Sequence, residues 1–338
     1  MLELLVGPER PQERLLVGVL GILAGQQAVQ VAEHVGSLLQ VEALERWNLH
    51  DVHHLSKRVA GRRCETAFVK LAVVGHVEWV EFARVERVPT PGEIVHATET
   101  WAEAGGGGAV AAAQLARLAG GASLFTVLGD DALGARAREQ LERQGVTVHA
   151  EAGPEHQRRA FTFVDGEGER TITVLGDKRA PQGTESGLPW EELAECDGVY
   201  FVSGGEAAVG TSRRARVLVA SARELPTLRR AGAPLDALVG SGRDEGERYG
   251  PGDLDPVPRL VVTTAGALGG WAQPGGPYEA AGLPGPRSDA YGCGDAFAAG
   301  LTFALADGAG TAEAVAFAAR CGAAALTGRG AYGGLIGL

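Results

Sequence analysis

Asp289-Ala290-Tyr291-Gly292-Cys293-Gly294-Asp295 runs without a break into Ala296-Phe297-Ala298-Ala299-Gly300-Leu301. A glycine-rich turn that opens straight into an apolar helix leaves the first-turn N–H groups bare. The helix dipole favours negative charge there, so the turn reads as an anion cradle. A carboxylate at the mouth of such a cradle repels a bound phosphate. Asp295 has a reason to stand there if it takes the proton of a hydroxyl that attacks the phosphorus. The pair of features, cradle and base, points to phosphoryl transfer. The plainer alternative for Asp295 is a helix N-cap, since aspartate caps helices well.

Outward from this stretch, the chain reads as alternating strands and helices. Leu71–Val74 is a buried strand, and Val77–Val88 continues with period-two alternation up to the turn Pro89-Thr90-Pro91-Gly92-Glu93. Ile94–Trp101 is expected as a strand, and Gly105-Gly106-Gly107-Gly108 leads into a helix over Ala109–Ala119. Leu124–Leu128 is a strand and Ala132–Gln144 a helix, while Ala160–Val164 and Arg170–Val174 flank Asp165-Gly166-Glu167-Gly168 as a hairpin. Gly198–Val202, Arg216–Val219, Ala237–Val239 and Leu260–Thr264 read as short parallel core strands. Such alternation implies an open sheet covered on both faces, with the more polar early strands standing off it as a lid.

Composition narrows the function. With 338 residues, 45% of them hydrophobic, the chain can bury a large core. A net charge of −11 argues against nucleic acid or an anionic membrane as partner. The 4 cysteines, Cys64, Cys196, Cys293 and Cys321, are scattered and form no CxxC pair, which fits a reduced cytoplasmic protein. No apolar stretch reaches the roughly 18 residues of a membrane span. Leu15–Gly25, after Arg10 and Arg14, has the outline of a signal-peptide core, but the chain beyond it looks like a user of cytosolic nucleotide. Residues 1–66 lack a strand pattern. They carry a weakly amphipathic run, Gln26–Trp47, and His50-Asp51-Val52-His53-His54, which reads as a solvated loop rather than a metal site. This segment is expected to be an N-terminal extension, either disordered or an artefact of start-site assignment.

Several motifs in order resemble the ribokinase-like (PfkB) carbohydrate kinases over residues 67–338. The C-terminal stretch is similar to the family's Asp-Thr-x-Gly-Ala-Gly-Asp, with Ala290 and Cys293 as departures. Gly75 followed by Pro89–Glu93, Gly105–Ala109 with Gln114–Leu118, Gly129-Asp130-Asp131 with Gly134 and Gly145-Val146, and Thr264–Gly270 match the other signatures. The resemblance implies an α/β fold: a doubly wound, mostly parallel sheet with helices on both faces and a small β-lid, its strands near 84–104 and 158–176. It implies an ATP-dependent kinase acting with Mg²⁺ on a sugar-like hydroxyl, with Asp295 as base and Gly292, Cys293 and Gly294 cradling the transferring group. Thr264, Ala265, Gly266, Gly269 and Asp244 would bind nucleotide and magnesium, Asp244 standing in the altered motif Ser241-Gly242-Arg243-Asp244. Asp289 and Gly330 would flank a monovalent cation such as K⁺, and lid pairing would give a homodimer. There is no Gly-x4-Gly-Lys-Ser/Thr, so a P-loop is excluded.

At the substrate end, the resemblance puts Glu78, Val80, Gly105, Gly106, Gly107, Val110 and Asp295 in the pocket. Val80, Val110 and Gly107 stand where relatives have Asp, Asn and Lys. Three lost polar contacts imply a pocket less suited to ribose hydroxyls, and so a nucleoside or modified sugar. Glu78 or Glu81 would supply the missing carboxylate, and Trp79, Phe161 and Phe163 either wall the pocket or simply pack. Two alternatives stay open: a nucleoside kinase of the same fold, and a ligand-binding sensor that has lost turnover.

Overall fold

The computed structural model describes residues 69–153 and 155–338; the expectations for residues 1–66, including His50–His54, lie outside them. In chain order the strands are β1 Leu71–Val74, β2 Glu78–Arg84, β3 Glu99–Gly105, β4 Ala122–Gly129, β5 Val146–Gly153, β6 Arg159–Val164 and β7 Arg170–Leu175. They continue as β8 Gly198–Phe201, β9 Val217–Ser221, β10 Ala237–Ser241, β11 Val261–Thr264, β12 Gly270–Gln273 and β13 Gly276–Tyr278. The helices are α1 Gly107–Ala119, α2 Ala132–Arg143, α3 Glu206–Ser212, α4 Leu225–Ala231, α5 Cys293–Ala306 and α6 Thr311–Ala325.

The four residues of β1 are all buried, and they alternate between two cores. Leu71 and Val73 pack on the side of α1, α5 and α6, while Ala72 and Val74 pack on the side of α3 and α4. A strand buried on both faces is what a doubly wound sheet needs in its middle. The main sheet has the order β13-β12-β11-β10-β9-β8-β1-β4-β5, parallel except for the antiparallel edge formed by β12 and β13. The chain winds outward from β1 through β4 to β5, then returns to lay β8 on the other flank of β1. The β1–β8 junction is therefore the point where strand order reverses, and the crevice at its carboxyl end is where such sheets take ligands. Helix α1, built of Ala, Val, Leu and Gly apart from Gln114 and the exposed Arg117, is buried almost all round because α5 covers the side that the sheet does not.

A second sheet, ordered β3-β2-β6-β7, forms the lid. It differs from the sequence reading at its start. Strand β2 belongs to it and begins at Glu78, ahead of the expected 84. The expected strand over Ile94–Trp101 is displaced: β3 runs from Glu99 to Gly105, and Ile94 is exposed without a partner. The register explains this. Glu99 pairs with Arg84, the last residue of β2, so nothing upstream of Glu99 has a strand to bond. Strands β5, β12 and β13 carry no clear strand pattern in the sequence, because each lies at or next to an edge of the main sheet and has a mixed burial pattern. All of β7, one edge of this sheet, is exposed. Among the described residues, no helix is long and apolar enough to cross a membrane.

Candidate active site

Helix α5 begins at Gly292, whose φ of 72° suits glycine and which makes no side-chain cap. Cys293, Gly294 and Asp295 are its first three residues, so Asp295 sits inside the first turn and does not cap it. The turn is held from below. Asp289 is fully buried; its Oδ1 accepts the Tyr291 N–H at 2.8 Å and its Oδ2 accepts the Gly330 N–H at 2.9 Å. These two bonds tie the turn to the C-terminal segment, which is the link the structure gives to Asp289 and Gly330. From above, the Tyr291 hydroxyl oxygen accepts the Gly106 N–H at 2.8 Å.

That last bond joins the two glycine turns. Gly106 is the N-cap of α1, also without a side-chain cap. A Cβ on Gly107 would stand 2.8 Å from Asp295 Oδ1 and 2.8 Å from Val202 Cγ1. Glycine at 107 thus makes room for the Asp295 carboxylate over the start of α1. Two helix starts without side-chain caps converge on one carboxylate at the carboxyl end of the switch-point strands; at α1 the Gly108 N–H is taken by the His76 carbonyl at 3.1 Å, so the amides left for an anion are those of α5.

Burial, chiefly, raises the Asp295 pKa from 3.8 to about 6, with Glu247 and Glu78 adding to the rise and Arg170 and Arg223 opposing it. Burial likewise raises the Cys293 thiol, which stays neutral within the cradle. Arg223 reaches across to Asp244 Oδ2 at 2.7 Å and also pairs with Glu247, whose Oε2 accepts the Ser241 N–H at 2.8 Å. Hydrogen bonding to Arg223 holds Asp244 below its ordinary value. Beside this loop, Ser241 pairs in register with Thr264, and Gly242 donates to the Thr264 carbonyl at 2.8 Å. The turn Thr264–Gly269 comes next, with the Arg243 guanidinium lying against Gly266. The residues expected to take nucleotide are therefore brought to the same carboxyl edge.

The profile of the pfkB family carbohydrate kinases matches residues 69–224 and 215–336. The chain belongs to this family. An ATP-dependent ribose-1-phosphate kinase of Halopiger xanaduensis is 30% identical over 284 residues, spanning 75% of this chain and 91% of that one. Among solved structures, ribokinase from Thermotoga maritima matches with a TM-score of 0.64 at 20% identity, covering 78% of this chain and 95% of that one. Adenosine kinase from Sinorhizobium meliloti matches with a TM-score of 0.62 at 17% identity, covering 78% and 96%. These structures establish the ribokinase-like fold, and the chain is a phosphotransferase of the sugar and nucleoside kinase class.

The substrate end of this pfkB-family kinase departs from the sequence reading. Val80 and Val110 are fully buried and present no surface to a ligand. Val80 packs against Gly105, and Val110 lies directly beneath Gly292, so both support the glycine turns from behind. Glu81 faces away on the other side of β2 and pairs with Arg159 at 2.5 Å. Trp79 is covered by Arg136, and Phe161 and Phe163 pack edge to face, so these aromatics are lid packing. Glu78 does reach the site: it is buried next to Gly106, and its charge is felt at Asp295. Sequence reasoning missed His76, Arg158, Arg223 and Glu247. Glu247 sits in a turn crowded with Glu245 and Asp244, and only the Glu245–Glu247 turn decides which carboxylate points inward.

Proposed function

We propose that this kinase moves the γ-phosphoryl group of ATP to a hydroxyl of a sugar or sugar derivative, with Asp295 as general base. The observation that carries the reading is the Asp295 carboxylate. It stands over two uncapped helix starts, and burial raises it to about 6, a useful value for a base near neutral pH. The acceptor oxygen forms a bond to the γ-phosphorus as the bond to the β-bridging oxygen breaks. The hydroxyl proton passes to Asp295, and ADP leaves with the bridging-oxygen electrons. The amides of Cys293 and Gly294 and the Gly292 turn would meet the charge on the transferring oxygens, where one donor is typically worth about 3 kcal/mol.

Thr264, Ala265, Gly266 and Gly269 would hold the nucleotide. Asp244 and Glu247, both paired with Arg223, would hold the water shell of a magnesium ion, which when bound would neutralise phosphate charge. An ion of this kind keeps several waters and is bound through one or two carboxylates together with phosphate oxygens. The acceptor used by the Halopiger relative, ribose 1-phosphate, is the first substrate to try. The test is product formation from MgATP with ribose 1-phosphate, ribose and adenosine, run beside Asp295→Asn. Phosphorylated product from one acceptor, lost in the variant, is expected. ATP binding without product from any of them would point instead to a sensor.

A further inference from the structure

Arg158 precedes β6, and the parallel register of β6 on β2 puts it on the same lid face as Glu78 and Val80, the face turned towards the glycine turns. Its Nε and Nη1 are buried with no hydrogen-bond partner among the described residues, while 12% of the side chain remains exposed, so unlike Val80 it keeps surface for a ligand. A guanidinium carries five N–H donors and is never deprotonated, and these two nitrogens hold three of them, so burying them unsatisfied is costly. Among the described residues its one ion-pair partner is Glu78, whose Oε1 lies 3.3 Å from Nε without the alignment of a hydrogen bond. Glu78 is itself a weakened counter-ion, because burial raises its pKa.

The surroundings are those of a site rather than of a closed ion pair. His76 comes just after β1 at the switch-point crevice, with Nδ1 2.9 Å from Ser203 Oγ and Nε2 3.9 Å from Glu78. It is held neutral, at about 3, by burial and by the charges of Arg158, Lys178 and Arg223. Lys178 acts on both His76 and Glu78 and pairs with Glu224. Glu78 links this basic corner to the base: it pairs with Arg158, and its charge adds to the rise in the Asp295 pKa.

We infer that Arg158 is the specificity-determining residue of the acceptor site, binding a phosphate monoester carried by the sugar while Asp295 holds the hydroxyl that reacts. A guanidinium fork matches phosphate oxygens bidentately, and an anion satisfies a buried cation as neutral hydroxyls cannot. The inference rests on the kinase reading above and names the residue and the charge behind its acceptor choice.

The test compares D-ribose 1-phosphate with D-ribose in the wild type, Arg158→Gln and Arg158→Lys. In Arg158→Gln, KM for ribose 1-phosphate rises about 30- to 100-fold, the loss of charge-assisted hydrogen bonds, with kcat nearly unchanged. The values for ribose stay as they were, and Arg158→Lys recovers part of the loss. Calorimetric titration with ribose 1-phosphate and with inorganic phosphate gives a second readout that needs no turnover. Glu78→Gln removes the competing carboxylate and tightens inorganic phosphate several-fold, whereas an ion pair that merely holds the lid in place gives weaker binding. Equal losses for both sugars in Arg158→Gln, or undiminished ribose 1-phosphate binding, overturn the inference. If the wild type phosphorylates nothing yet binds ribose 1-phosphate through Arg158, the kinase reading fails and the anion site stands.

Discussion

Asp295→Asn should make the unliganded protein more stable while destroying its turnover. Asp295 is only partly accessible to water, and in the folded chain its pKa lies near 6 against an ordinary 3.8. At 1.36 kcal/mol per pH unit this is about 3 kcal/mol of cost for holding the ionised form, which partial solvation trims to about 2 kcal/mol. Proton binding sets the sign. Between the two values the folded state holds a proton that the unfolded state has lost, so wild-type stability falls as pH rises from about 4 to about 6 and stays low above that. Below both values the cost is absent. Asparagine is neutral throughout and escapes it. Urea or thermal unfolding should therefore show the variant ahead by about 2 kcal/mol, or roughly 3–5 °C, near pH 8, with the gap about halved near pH 5. The same variant should lose about 10²- to 10⁴-fold in kcat, the usual worth of a general base. A variant less stable than wild type at pH 8, or a gap that ignores pH, would show that Asp295 is a structural cap or partner and would refute the reasoning.

Two further expectations test the site. The acidic limb of kcat/KM should track an ionisation near 6, with activity rising as Asp295 loses its proton. Glu247→Gln should move that limb to lower pH, since Glu247 is the neighbour that most raises the carboxyl after burial; a limb that stays put or moves up would exclude the coupling. Gly107→Ala and Gly294→Ala form a matched pair. The first places a Cβ 2.8 Å from Asp295 Oδ1, and pushing the base aside by a few tenths of an ångström should cut kcat about 10- to 100-fold. The second meets nothing within 4 Å, so its melting temperature should match wild type while turnover drops because the methyl crowds the cradle. Unchanged turnover in Gly294→Ala would mean that the phosphoryl group does not approach that amide.

What could be read from the chain alone was whatever short-range spacing encodes. Leu71–Val74, the glycine turns at 105–108 and 292–294, Asp295 and the hairpin around Asp165–Gly168 are local patterns, and the structure keeps all of them. The misplaced strand at Ile94 shows the limit, because its residues suit a strand but β2 ends before it can pair with them. Of the charged residues at the substrate end, only Glu78 was singled out from the sequence; the others belong to the tertiary structure. Glu78 was legible as a candidate carboxylate, two residues after His76, but Arg158 lies 80 residues further on and only the pairing of β6 with β2 sets it beside them. Asp244 was legible as a carboxylate in roughly the right loop, yet Glu247 is the one whose charge bears on Asp295. A side chain's type is set by the sequence, but its partners and its solvation are set by which strands are laid side by side, and those decide how it ionises and what it can bind.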